Sequence, residues 1–318
     1  MNRKLCVLIS AVLWLTGCAS QAEIPAPEPQ ATPAIPAKLE RDESGQPQLT
    51  VYIAEDGQTQ AMAMEKYVAR VLAGEMDNDW PLEALKAQAV LARTFVLKFA
   101  SEKESRYEGA DISTDISEAQ AYSEEKVNDR ILQAVEETRG QVLSHQGELP
   151  YAWFHAHSGG TTARAQEGLG YTQDEPGYTR IAKGQESADA PDEAKVWEAS
   201  FSTEEFLAAC RKIGAEISSL SSLSISEYGE SGRALTLLAD DVPINAAELR
   251  IALGSTRMRS TLLTRLSLQN GQVLMAGKGY GHGVGMPQWG AYGLAQQGQP
   301  YEAIINAYFQ AVDLVTLW

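Results

Sequence analysis

The alternation of apolar and polar positions from Tyr67 to Phe99 (YVARVLAGEMDNDWPLEALKAQAVLARTFVLKF) predicts a helix, a break and a second helix. Val68, Val71 and Leu72 recur at i, i+3 and i+4, and Gly74 stands where the first helix can stop. Asn78 and Asp79 offer the next helix a polar cap, and Pro81 suits its first turn. Its apolar stripe is Leu85, Ala89, Ala92, Val96 and Phe99, with Gln88 as the single polar member. The break holds one carboxylate, Glu75, flanked by the apolar bulk of Met76 and Trp80. Burial among such groups disfavours the charged form and raises a carboxyl pKa, which is what a general acid for glycoside cleavage needs.

Further along, LTVYIAEDG alternates like a strand entering a turn and marks the start of the folded part near Leu49. Asp111 to Tyr122 reads as a polar loop with a turn or short helix, and Asn128 to Arg139 as a helix ended by Gly140. Gln141–Ser144 and Pro150–His157 predict a hairpin around Gln146–Glu148. Phe201 to Ile213 is a helix with a capping-box pattern at Ser202 or Thr203 and Glu205. Leu220–Leu238 predicts two strands around Gly229–Gly232, Asn245–Leu253 a helix, and Leu262–Leu268 with Gln272–Ala276 a hairpin. Together these elements predict an α+β domain over residues 49–318, a helical segment packed with small, mostly antiparallel sheets, in which 195–270 can form a subdomain.

The first 48 residues differ in kind. Residues 1–17 carry Arg3 and Lys4, an apolar run too short to span a bilayer, and then small residues, the pattern of an export signal. Leu15-Thr16-Gly17-Cys18 resembles the lipobox of bacterial lipoproteins, which implies cleavage before Cys18 and its acylation. Ala19 and Ser20 follow without an Asp, which by the same resemblance implies the outer membrane, facing the periplasm, in a cell that has one. Residues 18–48 are rich in Pro and Ala and predict an extended tether. The 318-residue chain is 44% apolar, enough for a full core. Its net charge of −16 argues against a nucleic-acid backbone as partner, which needs clustered Lys and Arg. Beyond Cys6 and Cys18 there is only Cys210, so no internal disulfide is expected.

Glycine occupies every second place from Gly277 to Gly285 in GKGYGHGVGMPQWGA. If the run is extended, the glycines form one bare face open to close approach by another chain or a ligand. Neither a dinucleotide fingerprint nor a P-loop fits, because no GxGxxG register exists and Gly279 follows Lys278. His155 and His157 share a face if extended and could make half a metal site, but no third ligand stands at recognisable spacing, so no metal is expected. No GxSxG elbow supports a serine hydrolase.

Three stretches, YVARVLAGEM-DNDWPLEALKAQAVLARTFVL, TRGQVL with FHAHSGGTT, and GKGYGHGVGMPQWGAYGLA, carry a resemblance in the right order over most of residues 49–318. They resemble the stage II sporulation protein D (SpoIID/LytB) family of peptidoglycan lytic transglycosylases. The resemblance implies that Glu75 is the catalytic residue and that Arg93, at a position associated with activity, contacts substrate. Asp111 and Asp115, in a loop where the family also has acids, are substrate-contact candidates, as are Ser158, His282, Gln288, Trp289 and Tyr292 in the matched stretches. It implies peptidoglycan glycan strands as the substrate, without their peptides, and no cofactor. It also implies, as an alternative, a non-catalytic wall-binding enhancer of an N-acetylmuramoyl-L-alanine amidase. Some members bind zinc through cysteines near the second stretch, where this chain has none, and Pro287 stands where a serine is common. A more distant alternative is a hydrolase pairing Glu75 with Asp111 or Asp115.

Overall fold

The structure is a computed structural model that describes residues 31–318. The export signal over 1–17, Cys18 and the first part of the tether lie outside the described residues. Within them the packed body begins earlier than Leu49. Ile35 and Leu39 are buried in the main core, Arg41 bridges to Pro47, and the Met64 amide donates to the Pro47 carbonyl at 2.9 Å. Proline-rich composition hides these two apolar anchors, so the tether does not extend to residue 48.

The chain then forms β1 (Gln48–Ile53), β2 (Gln58–Ala63), α1 (Met64–Glu75), α2 (Leu82–Glu102) and β3 (Ile112–Ser113). β1 is the centre of a three-stranded sheet, antiparallel to β2 and parallel to β3. α1 buries Val68, Val71 and Leu72, as its stripe predicts, and Tyr67 beside them. It does not stop at Gly74. A Cβ there would lie 2.4 Å from the Tyr122 amide nitrogen, so the glycine permits close approach of the 121–122 strand of chain rather than ending the helix. α2 begins after Pro81, and Asn78 donates to the Lys126 carbonyl instead of capping it.

Next come α3 (Asp129–Glu137), capped by Asn128, then β4 (Gln141–Ser144) and β5 (Phe154–His155). β4 and β5 do not pair with each other, although His145 and Glu148 close the turn that was expected. β4 pairs instead with the last strand of the chain and β5 with a strand of the glycine-rich segment, partners that local pattern does not reveal.

A second apolar core, from Trp197 to Met275, is built by the elements that follow. α4 (Ala165–Leu169) and α5 (Asp192–Lys195) come first and supply none of its residues; the core is made by β6 (Val196–Ser202), α6 (Thr203–Lys212), β7 (Leu223–Tyr228), β8 (Ala234–Ala239), β9 (Val242–Asn245), α7 (Ala246–Leu253), β10 (Leu263–Gln269) and β11 (Gln272–Lys278). The sheets β10-β11-β6 and β7-β8-β9 are antiparallel throughout, α6 carries the capping box, and Asn245 caps α7. The chain closes with β12 (Met286–Pro287), α8 (Gln288–Gln296), α9 (Tyr301–Tyr308) and β13 (Asp313–Thr316), which return to the first core. Helices and small, mainly antiparallel sheets make the fold α+β.

The glycine run is not a flat strand. Gly279, Gly281, Gly283 and Gly285 all have φ between 71° and 118°, the left-handed side that favours glycine. Close approach by another chain is what it permits, and that chain is the protein's own 153–159 segment. A side chain on Gly279, Gly281 or Gly285 would lie 2.6 Å from the His157 carbonyl, 2.5 Å from His155 Cβ and 2.0 Å from the Trp153 carbonyl.

Candidate active site

Glu75 is the last residue of α1, so its side chain leaves the negative end of the helix dipole. The residue is partly exposed. The Ala121 amide donates to Oε1 at 2.7 Å, and Gln288 Nε2 donates to Oε2 at 3.2 Å and to the Glu75 main-chain carbonyl at 3.2 Å. Burial pushes the carboxyl pKa up, and the two hydrogen bonds, which favour the carboxylate, only partly offset it. Among the described residues Glu75 forms no ion pair and bonds to no second carboxyl group.

An aromatic cluster is built by residues that closely follow Glu75 and Gln288 in sequence. Trp80, in the turn after α1, packs against Trp289 and Tyr292 of α8 with ring centroids 4.6 and 5.0 Å apart, and those two rings are 5.2 Å apart. Trp289 and Tyr292 are half-buried and present part of their surface outward. Of the expected site residues, Gln288 is brought to Glu75 from more than two hundred residues away by the start of α8, and Trp289 and Tyr292 of the same helix are brought to Trp80.

Residues 54–145, which contain Glu75 and α2, match the family model described as SpoIID, stage II sporulation protein. The chain is 33% identical over 256 residues to an uncharacterized protein of Brachyspira hyodysenteriae, covering 79% of this chain and 66% of that one. It is 27% identical to stage II sporulation protein D of Bacillus amyloliquefaciens, covering 83% and 77%. It is 27% identical to the amidase enhancer of Bacillus subtilis, covering 77% of this chain and 40% of the relative. Residues 54–145 of the chain carry a SpoIID domain. The chain spans less than two thirds of the length of the Brachyspira protein and of the amidase enhancer.

Other positions that the SpoIID resemblance singled out are occupied differently. Arg93 is fully buried and cannot meet a substrate. Its Nη2 donates to Glu65 at 2.6 Å, its Nε to both Glu65 oxygens, and its Nη1 to the Gln141 carbonyl at 2.9 Å. Glu65 also accepts from the Gly140 amide at 3.0 Å and Trp318 Nε1 at 3.1 Å. This is a structural hub that ties α1, α2, β4 and the last residue together. Nothing in the spacing of Glu65 and Arg93 marks them as partners, because they sit on different helices.

Asp111 and Asp115 hold their own loop. Asp111 Oδ2 accepts from the Thr50 amide at 2.8 Å, beside the β1–β3 pairing. Asp115 accepts from the Ser117 amide and the Tyr107 hydroxyl, both at 2.8 Å, and these bonds pull its pKa down to about 2. Neither is bonded to Glu75. Ser158 is buried, donates to Glu186, and accepts from the Gly160 amide at 3.1 Å, so it is part of the scaffold rather than a substrate contact.

His282 is partly exposed, and its Nδ1 accepts from the Val284 amide at 3.0 Å. Burial, then Arg250 and Arg233, hold its pKa down to about 3, so the ring is neutral at physiological pH. Its ring neighbour is His155, 5.5 Å away. His155 is buried, bonds the Val284 carbonyl through Nδ1 at 3.1 Å and leaves Nε2 without a partner. His157 Nδ1 accepts from the Gly159 amide at 3.0 Å, with Glu186 3.6 Å away. Among the described residues no three His, Cys, Asp or Glu side chains cluster closely enough to hold a metal ion.

Sequence reasoning missed the Ala121 amide, which carries no side-chain signal, and the two buried acids Glu65 and Glu186. The DISTDISEAQAY stretch looks like a polar loop, yet its end lies over Gly74 and supplies a donor to Glu75.

Proposed function

We propose that this protein is a peptidoglycan lytic transglycosylase in which Glu75 acts first as general acid and then as general base. The observation that carries the proposal is a partly exposed glutamate whose carboxyl pKa is raised by burial, which two donors orient and which pairs with no second acid among the described residues. Hydrolytic glycosidases usually need two carboxyl groups, one of them to activate water or form a covalent intermediate. A transglycosylase needs one. Neutral Glu75 gives its proton to the oxygen leaving C1 of N-acetylmuramic acid, and the bond to N-acetylglucosamine breaks. The resulting carboxylate takes the proton of the muramyl C6 hydroxyl, whose oxygen bonds to C1 and closes a 1,6-anhydro ring. Trp289 and Tyr292, backed by the buried Trp80, offer sugar rings an apolar surface.

The same reading places the protein in the cell envelope, anchored through Cys18 and acting on strands whose stem peptides are removed. The amidase-enhancer relative supports a second reading, a wall-binding module that cleaves nothing and assists an amidase. Product mass separates them. The purified protein should release anhydromuramyl fragments from peptide-free strands. Reducing-end muramyl fragments would indicate a hydrolase, and intact strands with retained binding would indicate the enhancer.

A further inference from the structure

α8 begins at Gln288, and the segment before it is fixed to the 153–156 chain. Met286 and Pro287 pair in parallel with Phe154 and His155, and the amides of Met286 and Trp289 donate to the carbonyls of Trp153 and Ala156, both at 3.1 Å. The glycine run is what lets these two chains lie so close. Gln288 is therefore delivered to one place by a rigid mount, and its side chain is buried.

There its amide nitrogen makes two contacts with one residue, at 3.2 Å to Glu75 Oε2 and 3.2 Å to the Glu75 carbonyl. That carbonyl is among the last four of α1, which have no donor within the helix. A carboxamide nitrogen has two N–H groups, so both contacts can be made together. The carbonyl contact also fixes which way the amide faces, because its oxygen cannot be turned toward a second acceptor.

We propose that Gln288 is a positioning residue that clamps Glu75 by main chain and side chain at once, and that the glycine-rich segment exists in this fold as the mount for that clamp. The proposal rests on the reading of Glu75 as the acid of glycan cleavage. With Oε1 held by the Ala121 amide and Oε2 by Gln288, the carboxyl keeps one orientation while it loses and regains its proton. Placement of this kind is worth a large share of a catalytic rate, because a misdirected acid seldom meets the leaving oxygen. The groups facing Glu75 are these two donors and Tyr67 of its own helix, whose ionisation the Glu75 charge opposes. Asp77 and Asp79 follow in the turn, and among the described residues no cation pairs with Glu75.

The test uses Gln288→Met, which keeps length, and Gln288→Leu, each in the whole protein with carbon-13-labelled glutamate. The Glu75 carboxyl signal, assigned by its loss in Glu75→Gln, is titrated by nuclear magnetic resonance, and cleavage is followed across the same pH range. The clamp predicts that the Glu75 midpoint rises by about one pH unit, since a donor that favours the charged form is gone. It predicts that kcat falls about tenfold or more while KM stays within about twofold, and that the alkaline limb of activity moves up with the midpoint. An unmoved midpoint in either folded variant overturns the clamp even if the parent cleaves. A parent that cleaves nothing overturns the proposed function instead, and the titration alone then decides the clamp.

Discussion

Glu75 stands between opposed influences: burial and the helix end favour its neutral form, and two donors favour its charged form. The net effect is a raised pKa, which has a kinetic consequence. A general acid must begin protonated, so activity should persist from acid pH up to the raised pKa and fall as pH rises through it. An initial-rate profile on peptide-free strands should show that alkaline limb above the ordinary glutamate range. Arg93 teaches the opposite lesson about a charged residue. It is fully buried on a buried carboxylate, and removing one partner strands the other. Arg93→Ala should cost about 3–5 kcal/mol of stability in a denaturant titration. Any activity lost at Arg93 is then lost through the fold, and the surviving folded fraction should keep its substrate affinity.

At the scale of elements, two helices far apart in sequence share one carboxylate. The end of α1 supplies the acid and the start of α8 supplies its clamp and part of the aromatic cluster. Between them the 120–122 chain lies over Gly74 and delivers the Ala121 amide. Gly74→Ala places a methyl group 2.4 Å from a backbone nitrogen, where no flexible side chain can yield. It should destabilise the protein by roughly 1–3 kcal/mol, the usual cost of overpacking. It should also lower activity more than a surface control such as Gly177→Ala, where a Cβ meets nothing closer than 3.7 Å, as read by thermal melts and cleavage rates side by side.

The helices were legible because their periodicity is local: the stripes of α1 and α2 and the caps at Asn128, Ser202 and Asn245 all lie within a few residues. The pairings of β4 with β13 and β5 with β12 were not, because each strand is short and its partner is more than one hundred residues away. The glycine run signalled close approach correctly but not its positive φ values, which depend on what it packs against. Within the site, Glu75, Trp80, Gln288, Trp289 and Tyr292 were visible as residue types, whereas the grouping of Arg93 with Glu65 required the fold.

On the scale of the whole molecule, two apolar cores are served by one chain that leaves the first core, builds the second and returns with α8, α9 and β13. The active-site candidate lies where the outgoing and returning parts of the first core meet. The segment carrying Ile35 and Leu39 belongs to that core, so the packed body reaches back at least to Ile35. Cys18 precedes that segment in the sequence. Replacing Cys18 with Ser should release the protein from the membrane fraction with its thermal melt unchanged, and unaltered membrane partition would exclude a lipid anchor there. The central claim remains that one carboxyl does both proton transfers, and Glu75→Gln measures it most directly. The amide keeps the shape between Met76 and Trp80 but can neither donate a labile proton to the leaving oxygen nor accept one from the C6 hydroxyl. With glycan binding measured separately, anhydromuramyl release from peptide-free strands should fall by about 10³- to 10⁴-fold while binding and fold persist. Release at near the parent rate would contradict the account.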